Sequence, residues 1–265
     1  MKERKILDSE IENSSAPIME HLVELRTRII RSLIAFLITM SISFYFADDV
    51  FNFLSLPIIS LLDSYGQNTE LIYTGLQQGF MVHIKISIFA GFLFAFPFIS
   101  FQLWRFVAPG MYKNEKKAFL PFLISSPLLF ILGAAFAFYV VMPLAFDFLL
   151  KFQQNQGDGM VELLKIKYLG SINEYLSLTM AFIIAFGLSF QLPVLLTLLG
   201  KVGLVTSAGL ASFRKYAAVA ILIVAALVTP PDVITQIILF SAVYTLYEIS
   251  IFFVKRVEKG SIEDL

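Results

Sequence analysis

Six long apolar runs constrain this chain more than any other feature of its sequence. They cover residues 29–47, 81–104, 118–146, 176–199, 216–228 and 233–254. A helix needs about 20 apolar residues to cross a membrane. The fifth run has only thirteen and would rise about 20 Å as a helix. Either it is a buried or re-entrant segment, or, as we expect, it is a short span that thins the bilayer locally.

The composition supports a membrane protein. Apolar residues make up 58% of the 265 residues and charged residues 15%, whereas soluble proteins average about 45–50% and 25%. The runs therefore predict an all-α, polytopic membrane protein with six transmembrane helices. Five prolines fall within the second to fourth runs and predict bent helices in a concave bundle.

The distribution of charge predicts the orientation. Sixteen of the 20 basic residues lie in alternate segments, which include both ends of the chain. By the positive-inside rule, both termini are cytoplasmic and six helices span the membrane. We expect a disordered tail over residues 1–16, a transmembrane domain over 17–254 and a cytoplasmic tail over 255–265. The segment 50–62 is too short to span the membrane, and we expect it to form a helix on the outer interface.

Several classes of function are excluded or disfavoured. The chain has no Cys and two His, so disulfides and thiolate sites are excluded and we expect no metal or other cofactor. A net charge of zero disfavours nucleic acid as a partner. An intramembrane enzyme is disfavoured as well, because His21 and His83 lie near span boundaries and the motif His-Glu-x-x-His is absent.

The alternative of a small-solute transporter depends on polar groups near the middle of the membrane. Gln191, which lies deep in the fourth run beside Pro193, is nearly the sole candidate. Its amide could bond the backbone carbonyl that the proline leaves free. It could equally form an intramembrane hydrogen bond to a partner helix.

Two acidic residues interrupt the basic cytoplasmic face. Glu24 precedes the first span, and Glu115 lies alone in a basic loop. Each could be an ordinary local salt-bridge partner. A carboxylate at a cytoplasmic interface is also a natural docking point for a guanidinium group.

At these residues the sequence resembles the TatC family, the polytopic subunit of the twin-arginine protein translocase. The similar stretches are spread over nearly the whole chain and keep their order on the six predicted spans. They are EHLVELRTR at 20–28, FQLWRFVAPGMY at 101–112, AFGLSFQLP at 185–193, SFRKY at 212–216 and TPPD at 229–232.

The resemblance implies a receptor that binds paired-arginine signal peptides and exports folded proteins using the proton gradient. It implies a location in the cytoplasmic (inner) membrane, partners of the single-span TatA and TatB types, and self-association in the lipid bilayer. It places the signal-peptide site at Glu24, Arg105, Phe106, Pro109, Tyr112 and Glu115. Other positions matched to the family are Leu25, Arg26, Pro57, Phe213, Arg214 and Asp232. The fourth-span polar position is often Glu in the family, whereas Gln191 cannot titrate.

Overall fold

The computed structural model describes the backbone of residues 2–66, 70–107, 116–157, 170–229 and 233–263. Side chains are described for residue 19 and for 21–66, 70–106, 121–151, 170–229 and 233–259. The helices in chain order are α1 Lys2–Tyr45, α2 Ala47–Ser64, α3 Gln78–Val107, α4 Lys116–Phe136, α5 Met142–Gly157, α6 Ile172–Ser189, α7 Leu192–Lys201, α8 Ser207–Ser212, α9 Arg214–Val228 and α10 Val233–Glu263.

Long apolar helices dominate the described part of the chain and confirm the all-α membrane fold. Five segments are long and apolar enough to cross a membrane: His21–Tyr45, Gln78–Phe106, Pro121–Lys151, Ile172–Lys201 and Val233–Lys259. The fifth predicted span coincides with α9, whose 15 residues rise about 22 Å. Exposed apolar side chains such as Leu33, Ile34 and Leu37 cover the outside of α1, as expected where lipid replaces water.

The third and fourth spans are interrupted near prolines. A π-helical turn, Ala137–Val141, joins α4 to α5 just before Pro143. Phe190 and Gln191 separate α6 from α7 just before Pro193. Proline cannot donate a backbone hydrogen bond and crowds the preceding turn, so each break lies where the continuous helix is weakest.

The core of the bundle is aromatic and lies where α3, α4 and α6 meet. The Phe96 and Phe130 rings stack with centroids 3.6 Å apart. Phe182 and Phe186 on α6 are fully buried, and Phe130 on α4 has 1% exposure. α1 packs along α3, and α10 packs on α7 and α9.

The segment after α1 packs onto the bundle as a helix longer than expected. α2 buries Leu54, Ile58 and Leu62, which share one face because they are four residues apart. The Tyr175 hydroxyl of α6 donates to the Leu54 carbonyl at 2.5 Å. Two short strands, β1 Leu71–Ile72 and β2 Gly170–Ser171, pair in parallel and join the segments before α3 and α6.

The predicted N-terminal tail differs from the structure in its backbone. α1 begins at Lys2, so residues 2–16 are helical where the sequence predicts disorder. Seven of these fifteen residues are Lys, Glu, Arg or Leu, which have high helix propensity. α10 similarly continues into the predicted C-terminal tail as far as Glu263.

Gly91 permits the closest approach of α1 and α3. A Cβ atom at this position would lie 2.6 Å from the Met40 Cα and 2.8 Å from its nitrogen. In addition, the Thr39 hydroxyl donates to the Gly91 carbonyl at 2.8 Å. Since the obstruction is backbone, a larger residue has to push the two helices apart.

We therefore expect Gly91→Val to lower the thermal unfolding temperature of the detergent-solubilised protein, with a cost of about 1–3 kcal/mol for overpacking. The matched control is Gly79→Val on the same helix, where a Cβ meets Tyr73 Cζ at 3.9 Å. Equal unfolding temperatures for the two variants would contradict the close α1–α3 contact.

Candidate functional site

The expected recognition residues that the structure describes come from two segments. Glu24 lies on α1, and Arg105 and Phe106 lie in the last turn of α3. The His21 and Phe106 rings stack with centroids 4.2 Å apart and join these segments. Four other expected residues lie outside the described part of the chain: Pro109, Tyr112, Glu115 and Asp232.

The carboxylate of Glu24 has one occupied oxygen and one that is more open. Arg28, one turn further along α1, donates to Oε1 from Nε at 3.0 Å and also from Nη2. Among the described side chains, the imidazole of His21 is the group near Oε2, with Nδ1 at 3.9 Å. The Glu24 side chain keeps 32% exposure. Oε2 is therefore accessible to a further hydrogen-bond donor.

Arg28 connects this carboxylate to α3. Its Nη1 donates to Oε1 of Gln102 at 3.3 Å, and its side chain is 14% exposed. Gln102 is itself buried. The sequence analysis did not single out Gln102, although an amide within an otherwise apolar run was a visible signal. The Arg28–Gln102 bond fixes the position of the Glu24 side chain relative to α3.

An apolar cavity of about 360 Å³ lies beside these polar groups, between α1 and α3. Arg28 and Gln102 line its polar edge. The remaining lining is mostly apolar and includes Leu25, Ile29, Leu33, Phe36, Leu103 and Phe106. The expected residue Leu25 thus belongs to this cavity, and one surface combines an open carboxylate with an apolar groove.

Two expected arginines lie near this surface without contacting Glu24. The Arg105 guanidinium lies over the Phe101 ring, 5.4 Å from its centroid, which is a cation–π arrangement. Arg26 is exposed on α1. Both side chains are exposed, so each leaves its positive charge accessible to solvent.

The Glu24 carboxylate and the adjoining apolar cavity are together suited to binding a ligand with a cationic group and an apolar part. A carboxylate with an open oxygen accepts charge-assisted hydrogen bonds from a cation, and the adjoining cavity can take an apolar chain. Among the described side chains, no group of three His, Asp or Glu residues could hold a metal ion.

Gln191 lies at the break between α6 and α7 and bonds to α4. Its Oε1 accepts from the Ser126 hydroxyl at 2.6 Å, and its Nε2 donates to the Ser126 carbonyl at 2.9 Å. Ser126 is buried, with 1% exposure. The amide thus bonds a second helix of the same chain, and the Ser126 hydroxyl keeps a partner within the bundle.

The other family-matched positions lie on separate elements. Pro57 is buried within α2. Phe213 is exposed between α8 and α9. Arg214 forms a two-pronged ion pair with Glu248 of α10, at 2.7 and 2.8 Å. These residues are not brought together with Glu24.

The family model and the similar proteins found by comparison carry the same description. The family model described as "Sec-independent protein translocase protein (TatC)" matches residues 20–241. A TatC of Magnetococcus marinus is 43% identical over 248 residues, which cover 94% of this chain and 87% of that protein. A TatC of Aquifex aeolicus is 46% identical over 236 residues, covering 89% and 93%. The TatC of Escherichia coli strain K12 is 37% identical over 237 residues, covering 89% and 87%.

The fold matches as well. A solved structure described as the twin arginine translocase receptor TatC superposes with a TM-score of 0.76 at 45% identity. The match covers 90% of this chain and 99% of that one. Sequence and fold agree over nearly the full length, and the chain therefore belongs to the TatC family of Sec-independent protein translocase proteins.

Proposed function

We propose that this chain is the receptor subunit of a twin-arginine translocase and that it binds paired-arginine signal peptides at the surface around Glu24. The observation that carries the proposal is a carboxylate with one open oxygen at the edge of an apolar cavity. A signal peptide has matching parts, because its arginines precede an apolar stretch.

The carboxylate accounts for recognition of an arginine. Arg28 already occupies Oε1 of Glu24, so the incoming guanidinium binds Oε2 beside His21. Charge-assisted hydrogen bonds contribute about 1.5–3 kcal/mol each. A carboxylate can accept from two guanidinium groups at once, and Arg28 therefore holds Glu24 in place without closing the site.

The second arginine is assigned to Glu115, which the TatC resemblance places in the same patch with Pro109 and Tyr112. In the sequence, residues 108–115 connect α3, which ends at Val107, to α4, which begins at Lys116. Phe106 lines the α1–α3 cavity, and the apolar part of the signal peptide would continue along that cavity.

The rest of the proposal concerns orientation and assembly. Both termini lie in the cytoplasm, and the protein spans the inner membrane six times, with α9 as the short fifth span. It works with single-span TatA- and TatB-type subunits, associates with itself and draws on the proton gradient. A small-solute transporter gains no support, because Gln191 uses both groups of its amide on Ser126.

Glu24→Gln and Glu115→Gln are each expected to weaken binding of a paired-arginine signal peptide about tenfold, since one charge-assisted bond is lost. Binding is measured by fluorescence anisotropy with the purified full-length chain. Glu70→Gln is the matched control, because Glu70 is also exposed but lies in a predicted outer segment. If the double variant bound the peptide and supported export normally, these two residues would not form the site.

Gln191→Leu is expected to lower the unfolding temperature, because it leaves the buried Ser126 hydroxyl without its acceptor. The cost is about 1–3 kcal/mol for an unsatisfied buried group. Adding Ser126→Ala should recover part of the loss. Gln236→Leu serves as the control, since the bond that its amide makes to a described residue is long, 3.4 Å to the Leu222 carbonyl. Loss of partner co-purification at unchanged unfolding temperature would assign Gln191 to a partner helix instead.

A further inference from the structure

The largest of the described cavities lies away from the α1–α3 surface. It has a volume of about 870 Å³ and is enclosed by α4, α7 and α10. Its lining is mainly apolar and includes Leu128, Leu132, Phe190, Leu246 and Phe253. Leu128, Leu132 and Phe253 keep 61%, 56% and 43% exposure. The cavity therefore opens sideways, toward the hydrocarbon of the surrounding membrane.

Basic residues continue the lining at one end of this cavity. Thr197 on α7 and Phe253 on α10 are lining residues. Lys201 follows Thr197 by four positions, and Arg256 follows Phe253 by three. Residues at these spacings share one helix face. Lys201 and Arg256 therefore lie on the cavity-lining faces of α7 and α10, just beyond the apolar part.

The two helices are held close together at this end. A Cβ on Gly200 of α7 would lie 2.8 Å from Cγ1 of Val254 on α10. Val254 is fully buried. Lys201 and Arg256 come directly after this contact, so their positive charges are confined to the same end of the cavity.

These two charges are not neutralised within the described part of the chain. Neither Lys201 nor Arg256 takes part in an ion pair there. Glu258, the next acid along α10, instead accepts from the Ser207 backbone nitrogen at 2.7 Å and from its hydroxyl. An apolar cavity thus ends at two cations for which the described residues supply no anion.

We propose that this cavity binds an anionic phospholipid, with its acyl chains against α4 and α10 and its phosphate between Lys201 and Arg256. Basic pockets between transmembrane helices are suited to anionic headgroups, and a guanidinium matches phosphate geometry in a two-pronged bond. A free phosphate would leave the apolar cavity unused, so the lipid is the ligand that matches both parts.

The test uses the delipidated full-length chain and measures lipid retention by native mass spectrometry. Phosphatidylglycerol and phosphatidylcholine with identical acyl chains are compared. Lys201→Gln with Arg256→Gln should weaken phosphatidylglycerol binding roughly 25-fold, since each basic group contributes about a factor of five. Phosphatidylcholine binding should change little. The matched control is Arg31→Gln with Lys215→Gln, which removes two exposed basic side chains on the same predicted face.

Two further measurements distinguish binding of a lipid in the cavity from binding of a phosphate group alone. Leu128→Trp introduces a larger side chain at an exposed lining position, and it should reduce phosphatidylglycerol binding. Soluble glycerol 3-phosphate should not compete. The proposal is overturned if the control pair loses as much affinity as the cavity pair, if the two lipids bind equally, if glycerol 3-phosphate competes, or if Leu128→Trp has no effect.

Discussion

The hydrocarbon core of the membrane offers no hydrogen-bond partners, and the structure depends on that constraint. Among the described residues its long apolar runs are helical apart from short turns, and several polar side chains within the spans bond to other helices. The Gln191 amide bonds to Ser126, Lys85 donates to Asn173 at 2.6 Å, and Thr39 donates to the Gly91 carbonyl. Each bond satisfies a polar group that lipid would leave unpaired and joins two helices that the apolar surfaces alone would not orient.

The same constraint explains why the proposed recognition site lies at the ends of the helices. Glu24 retains an open oxygen because it lies beyond the apolar part of α1, where water still reaches it. Arg28 lies one turn nearer the apolar part, is more buried and bonds both Glu24 and Gln102. The polar ends of α1 and α3 are therefore ordered by a short network, and the apolar cavity begins directly beside it. This arrangement suits a ligand that is cationic at one end and apolar along its length.

Much of the fold followed from the sequence because hydropathy and helix length are local properties. The six runs, the short α9 and the breaks near Pro143 and Pro193 could all be expected from neighbouring residues. The hydrogen-bond partners of the polar side chains could not be predicted from neighbouring residues. Gln191 and Ser126 are 65 positions apart and Arg28 and Gln102 are 74 apart, so these pairs depend on how helices pack. The helical backbone of residues 2–16 also differed from the expected disorder.

The central claim is that Glu24 contacts an arginine of the signal peptide, and a double-mutant cycle measures that contact directly. Glu24→Gln in the chain is combined with Arg→Gln at each arginine of the pair in the peptide, and the four dissociation constants of each cycle are compared. The account predicts that one peptide arginine loses about tenfold in affinity with wild-type chain and little with the Glu24→Gln chain. The account would be contradicted if, for both peptide arginines, the loss of affinity were the same with the wild-type and the Glu24→Gln chains.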